Sequence, residues 1–168
     1  PDVSRETLIE LEEYGKSIIE RNKRINLISR STETSVKSRH IYDSAQTIDF
    51  INKNDIKECT DLGSGAGLPG IVLGIMMKPK KPEFKLVLYE KSFHKANFLK
   101  DMSEKFKINA KIIHGNIFDE KNLITDVIIS RAFKPLPIVF EIAFKNFKKF
   151  KYIIFYLGKS GKNIIREA

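Results

Sequence analysis

Apolar residues recur at two different periods along this 168-residue chain, and the change of period divides it. Near the start, Leu8, Leu11, Gly15 and Ile18 stand three or four apart, with Glu12, Glu13, Lys16 and Glu20 between them. That spacing predicts an amphipathic helix laying one stripe on a core. Ser4 or Thr7 can cap it, Thr7 with Glu10 three residues on as a capping box. A basic, asparagine-rich stretch over 21–30 interrupts the pattern as a loop or helix end. Ser31 or Thr32 can then cap a second helix with Val36, Ile41, Ala45 and Ile48 inward. Residues 1–52 are therefore expected to form a helical extension, joined by a polar connector over 52–57.

Beyond residue 53 the pattern becomes an alternation. Apolar runs of strand length fall at 56–62, 84–90, 110–113, 126–130 and 152–157. Runs of helical length fall at 68–77, 92–106 and from Pro137 to about 147. Strands alternating with helices predict an α/β fold, a mainly parallel sheet with helices on both faces and right-handed crossovers. The run at 152–157 is almost wholly apolar, as a doubly covered strand would be. The length suits a single domain, 1–168, with 53–168 as its core.

The first strand–helix junction carries the chemistry: Thr60-Asp-Leu-Gly-Ser-Gly-Ala-Gly-Leu-Pro-Gly70. Glycine permits positive φ and lets a ligand lie directly on the peptide. Pro69 suits a first helical turn, and a helix start offers free N–H groups. Two ligands fit the spacing. Gly65-x-Gly67-x-x-Gly70 satisfies the dinucleotide fingerprint, with Glu90 at the right distance for a ribose. The register Asp61-x-Gly63-x-Gly65-x-Gly67 better suits a nucleoside without a diphosphate, such as S-adenosylmethionine, with Asp61 near its amino-acid end. Asp61 and Glu90 both fall at carboxyl ends of strands, where such sheets bind ligands. Ile117 and Phe118 are apolar residues in a polar loop, either wall of an adenine slot or core. Arg131 ends the fourth strand and faces the same region. Arg39, His40, Asp43 and Ser44 lie within about one helical turn, and Arg39 with Asp43 can form a surface ion pair at i,i+4.

A net charge of +9 and a pI near 9.5 suit a polyanionic partner, though lysine's dominance over arginine also fits coding bias and a solvated surface. Cys59, the single cysteine, excludes a disulfide framework and is expected to be buried. His40, His94 and His114 are too far apart for a metal-ligand motif, so no metal is expected. The first residue is proline rather than methionine. No signal peptide and no apolar run of membrane length are present, so a cytoplasmic location and no membrane partner are expected.

Taken together, the motifs resemble the bacterial glucose-inhibited division protein B family, S-adenosylmethionine-dependent methyltransferases acting on guanine N7 in small-subunit (16S) ribosomal RNA. The matching pieces are Asn22-Lys23 with Asn26-Leu27, Arg39-His40 through Asp43-Ser44, the loop Asp61 to Gly70, Glu90-Lys-Ser-x-x-Lys95 with Phe98-Leu99, and Ser130-Arg131-Ala132-Phe133. The resemblance implies a Rossmann-like class I methyltransferase with small-subunit rRNA or the 30S particle as partner; nothing in the sequence argues for a dimer, so a monomer is expected. It implies cofactor contacts from Gly63, Leu68, Ile117, Phe118 and Arg131 beside Asp61, Gly65 and Gly67, with Glu90 on the ribose. On that reading Arg39, His40 and Arg131 are candidates for the base or an adjacent phosphate, with Asp43 and Lys159 also on the RNA side and Lys23, Lys37 and Lys134 for the RNA backbone, and the N7 lone pair requires no general base. There are departures. Phe118-Asp119 stands where the family commonly has an acidic pair, and Leu157-Gly-Lys159 where it has Leu-Lys-Gly. The family also continues into a closing pair of antiparallel strands. Two rival readings remain: an NAD-dependent oxidoreductase using Gly65 to Gly70, and a non-catalytic ribosome-binding protein.

Overall fold

The computed structural model describes residues 3–157. Its first helix, α1 (Arg5–Asn22), is capped by Ser4, whose hydroxyl accepts from the Thr7 N–H at 3.2 Å. The inward stripe is Thr7, Leu11, Tyr14 and Ile18, while Leu8 is 46 % exposed. The stripe is turned because Tyr14, with its large ring fully buried, sets the centre of the contact.

Residues 30–53 do not make the one regular helix expected. They form a 3₁₀ segment (Arg30–Ser35), a π-helix (Lys37–Tyr42), a single turn α2 (Asp43–Ala45) and α3 (Ile48–Lys53). Val36, Ile41 and Ile48 are still buried. The irregularity lies where an arginine from a distant strand takes up the backbone carbonyls, described below.

Strands then alternate with helices: β1 (Glu58–Leu62), α4 (Gly70–Met77), β2 (Lys85–Glu90), α5 (Phe93–Lys105), β3 (Ala110–His114), a two-residue β4 (Leu123–Ile124), β5 (Val127–Arg131), α6 (Leu136–Asn146), a short β6 (Phe147–Lys149) and β7 (Tyr152–Tyr156). The main sheet has the order β3-β2-β1-β5-β7, and every pairing is parallel. The chain steps outward from β1 to β3, then crosses back to place β5 on the other side of β1. The crevice at the carboxyl ends of β1 and β5 is thus the topological switch point, where open α/β sheets take ligands.

Side chains alternate across this sheet as strand geometry requires. Cys59, Leu86, Leu88, Val127 and Ile129 join α1, α3, α4 and α5 in one hydrophobic cluster. Leu62, Val87, Tyr89 and Ile128 face the other way, onto Val139, Ile142 and Ala143 of α6. Helices therefore cover both faces. Two features differ from expectation. β4 and β6 form a small parallel ladder of their own, too short to register as periodicity. And β7 is only partly covered, with Tyr152 39 % exposed, because it is an edge strand among the described residues.

Candidate functional site

Past β1 the chain turns through Gly63, Gly65 and Gly67, all at positive φ. Their surroundings differ. A methyl on Gly67 would meet Leu99 and the Tyr14 hydroxyl at 2.9 Å, so this glycine is packed inward. A methyl on Gly65 would meet nothing closer than the Gly63 carbonyl oxygen at 3.8 Å. Gly65 is where bare backbone faces open space.

The loop is braced from three sides. The Ser64 N–H donates to the Tyr89 carbonyl at 2.9 Å, and the Gly65 N–H donates to Glu90 Oε2 at 2.8 Å. The other Glu90 oxygen accepts from the Ser92 N–H at 2.8 Å, so one carboxylate joins the loop to the start of α5. From α1, the buried Tyr14 hydroxyl donates to the Ala66 carbonyl. Burial pushes the Tyr14 pKa well up, which keeps it a donor.

Asp61 lies beneath the loop, 1 % exposed, rather than on the cavity wall. Its Oδ2 accepts from the Gly70 N–H at 3.1 Å. The start of α4 therefore carries a carboxylate instead of presenting a free N–H there. Burial raises the Asp61 pKa to about 7, with the Gly70 N–H pulling the other way. Pro69 stands at the N-cap, one residue earlier than a first-turn position.

A cavity of about 350 Å³ brings together Gly63, Gly65, Leu68, Glu90, His40 and Arg131, with Lys91 and Lys95 also on its wall. A second, of about 190 Å³, adjoins it and holds Asn116, Ile117 and Phe118. Ile117 is also part of the core on the α6 side, while Phe118 is 45 % exposed. A larger groove of about 420 Å³ between α1 and the π-helix, walled by Leu8, Ile19 and Tyr42, holds none of the expected site residues.

Arg131 does not leave its donors free. Nη2 donates to the Arg39 carbonyl at 2.8 Å, and Nη1 donates to the His40 carbonyl at 3.2 Å and to Ser44 Oγ at 3.1 Å. Asp43 Oδ2 is 3.7 Å away, so Asp43 pairs with Arg131 rather than Arg39. Arg39 contributes its carbonyl here, and its residue is exposed. With Nη2 of Arg131 also 3.2 Å from His40 Nδ1, the imidazole accepts there and carries its proton on Nε2, which donates to Thr32 Oγ1 at 3.0 Å. Burial first, and the Arg131 charge second, lower the His40 pKa and keep the ring neutral. Lys159 lies outside the described residues. Cys59 is fully buried, and burial raises its thiol pKa far above the ordinary value. Among the described residues no cluster of three His, Cys, Asp or Glu could hold a metal, and no helix is long and apolar enough to cross a membrane.

With this geometry in hand, comparison with known proteins is decisive. The family model for rRNA small subunit methyltransferase G (GidB) matches residues 7–168. The chain belongs to this family. It is 43 % identical over 169 residues to a ribosomal RNA small subunit methyltransferase G of Pelagibacter ubique, covering 99 % of this chain and 79 % of the relative. It is 39 % identical over 136 residues to the protein of the same name from Cereibacter sphaeroides (strain ATCC 17029), covering 81 % and 66 %. Among solved structures, plantazolicin methyltransferase BpumL, in complex with a monoazolic desmethylPZN analog and SAH, superposes with a TM-score of 0.54 at 14 % identity, over 96 % of this chain and 66 % of that one. This last likeness concerns the fold.

Within the GidB frame, four contributors to the site carried no assigned role in the sequence reading. Tyr14 is the one aromatic residue in the inward stripe of α1 and carries a polar tip, which is the signal that could have marked it. Lys91 and Lys95 follow Glu90 and share its cavity. Phe133 lies over Gly63, a contact between two loops that no spacing foretells.

Proposed function

We propose that this protein transfers a methyl group from S-adenosylmethionine to N7 of a guanine in small-subunit (16S) rRNA, met as rRNA or within the 30S particle. The observation that carries this reading is the bare Gly65 backbone clamped to Glu90 at the switch point of a GidB-family fold. The bound cofactor supplies a methyl group on a sulfonium, an electrophile that the N7 lone pair can attack without a general base. The chain's part is to hold and orient. Glu90 keeps lone pairs free beside its two backbone bonds and can accept from sugar hydroxyls. Ile117 and Phe118 offer an apolar plate for the adenine ring, and Gly63, Gly65 and Leu68 line the remaining length. Gly67 and Asp61 act from behind, by shaping the loop.

On the RNA side, Arg131 fixes the π-helix and thereby the His40 ring on the cavity wall. Asp43 steadies Arg131. Arg39, Lys91, Lys95 and Lys134, with Lys159, supply phosphate contacts whose strength falls with salt. Lys23 and Lys37 are paired with Glu20 and Glu12 and are weaker candidates. Positioning N7 in line with the methyl supplies about 7–11 kcal/mol in favourable cases. No residue is asked to take a proton and no metal is required. A monomer working in the cytoplasm fits this reading.

The dinucleotide alternative meets a specific obstacle. Gly67, the glycine whose backbone that fingerprint needs open to a pyrophosphate, is packed against Ile71, Leu99 and Tyr14. A diphosphate at the start of α4 would also face the Asp61 carboxylate. Calorimetry separates the readings: one-to-one binding of S-adenosylhomocysteine with no heat from NAD is expected, and the reverse would overturn the cofactor assignment. A binding protein without chemistry would take RNA yet transfer no label.

A further inference from the structure

The turn between β5 and α6 puts an aromatic ring in the path a bound nucleoside would follow. Phe133 lies against the backbone of Gly63: a Cβ there would meet ring atoms Cγ and Cε2 at 2.8 Å. Gly63, Lys91 and Phe133 are the three residues common to both cavities of the site. One cavity leads to Glu90 and Leu68, the other to Asn116, Ile117 and Phe118. A ligand with its sugar at Glu90 and its base at Ile117 and Phe118 has to cross Gly63, and the Phe133 ring occupies that crossing.

The backbone beside the ring is held away from its preferred state. Ala132 has φ 50°, the left-handed region that a residue with a Cβ seldom adopts. Ala132 is itself exposed, and Phe133 is only partly buried against the α6-side core. The half-buried ring thus sits at the end of a turn whose relaxation would carry it off Gly63. Gly63 has no side chain to oppose either position.

We propose that Phe133 is a gate on the cofactor site: its ring partitions the trough over Gly63, and its displacement joins the two cavities into one. This rests on the nucleoside-cofactor reading given above. The gate makes binding wait for a minor open state, so apparent affinity and association are reduced by the fraction of molecules that are open. For an open state of about 10 % or less, removing the ring speeds association about tenfold or more.

The test is association of S-adenosylhomocysteine by surface plasmon resonance on wild type, Phe133→Leu and Phe133→Ala, each first shown to be folded by circular dichroism. The gate predicts association at least about tenfold faster for Phe133→Ala, with Phe133→Leu between. Association rates within about twofold across all three, or slower and weaker binding by Phe133→Ala, overturn it. Should the alanine variant not fold, Phe133→Trp gives a second reading, because the chain contains no tryptophan. Its emission must change when S-adenosylhomocysteine is added, at a rate that levels off with ligand concentration. Unchanged emission in a variant that calorimetry shows to bind overturns the gate. Absence of binding in every protein contradicts the cofactor reading itself, whereas binding at equal rates contradicts the gate alone.

Discussion

Arg131, at the end of β5, donates through Nη2 to the carbonyl oxygen of Arg39 in the π-helix at 2.8 Å. The bond ties the motif after the fourth long strand to the N-terminal helical segment, and it explains why that segment leaves regular helix. A guanidinium spreads its donors over two terminal nitrogens to reach two carbonyls and a hydroxyl, a span that the single nitrogen of a lysine does not reproduce. Arg131→Ala is predicted to destabilise the protein by about 1–3 kcal/mol, since two part-buried acceptors and one exposed one lose a charged donor. Arg131→Lys should recover only part of this. Urea denaturation of the two variants checks the order, and equal stability of all three proteins would contradict it.

Glu90 is predicted to be intolerant of its own amide. Both carboxylate oxygens accept backbone N–H groups, and in Glu90→Gln one of them is replaced by an NH₂ that faces a donor. S-adenosylhomocysteine affinity should fall about tenfold or more, measured by calorimetry. Unaltered affinity would mean that the brace on Gly65 does not shape the cradle.

Asp61 predicts a pH signature. Its folded pKa of about 7 lies above the ordinary 3.8, so the folded state binds this proton more tightly than the unfolded chain. The stabilisation is complete below about 3.8 and is lost as pH rises through about 7. Asp61→Asn keeps an acceptor for the Gly70 N–H but cannot ionise. The stability of Asp61→Asn relative to wild type should therefore rise between pH 4 and pH 8. Denaturation curves that stay parallel across that range would contradict the assignment.

The glycines are predicted to separate into two kinds. Gly67→Ala meets Leu99 and Tyr14 and should cost more than the ~1–2 kcal/mol of a left-handed alanine. Gly65→Ala meets open space, so its loss of stability should stay near that figure while cofactor binding is abolished. Tyr14→Phe leaves the Ala66 carbonyl without its donor and should cost about 1–3 kcal/mol. Thermal melts beside calorimetry distinguish these cases.

The sheet was legible because parallel strands covered on both faces read as unbroken apolar runs. Thus 84–90 is observed as Lys85–Glu90, and 126–130 as Val127–Arg131. The glycine loop was legible because its backbone needs are written in residue identity. What the sequence did not disclose depends on partners far along the chain. The breakup of 30–53 answers to Arg131, and the exposure of Leu8 answers to the Tyr14 contact with Ala66. Asp61 and Gly65 read alike as ligand contacts, yet one lies under the loop and the other over it, a distinction of facing that spacing cannot carry. Likewise nothing in Ser130-Arg131-Ala132-Phe133 tells that its last ring rests on Gly63.

The most direct measurement is to incubate the protein with methyl-tritiated S-adenosylmethionine and small-subunit rRNA, naked and in 30S particles, from cells lacking this modification. The RNA is then digested to nucleosides and the labelled one identified by mass spectrometry. Label in 7-methylguanosine alone is the predicted result. Label on any other atom, or none in a protein that binds the cofactor and the RNA, would contradict it.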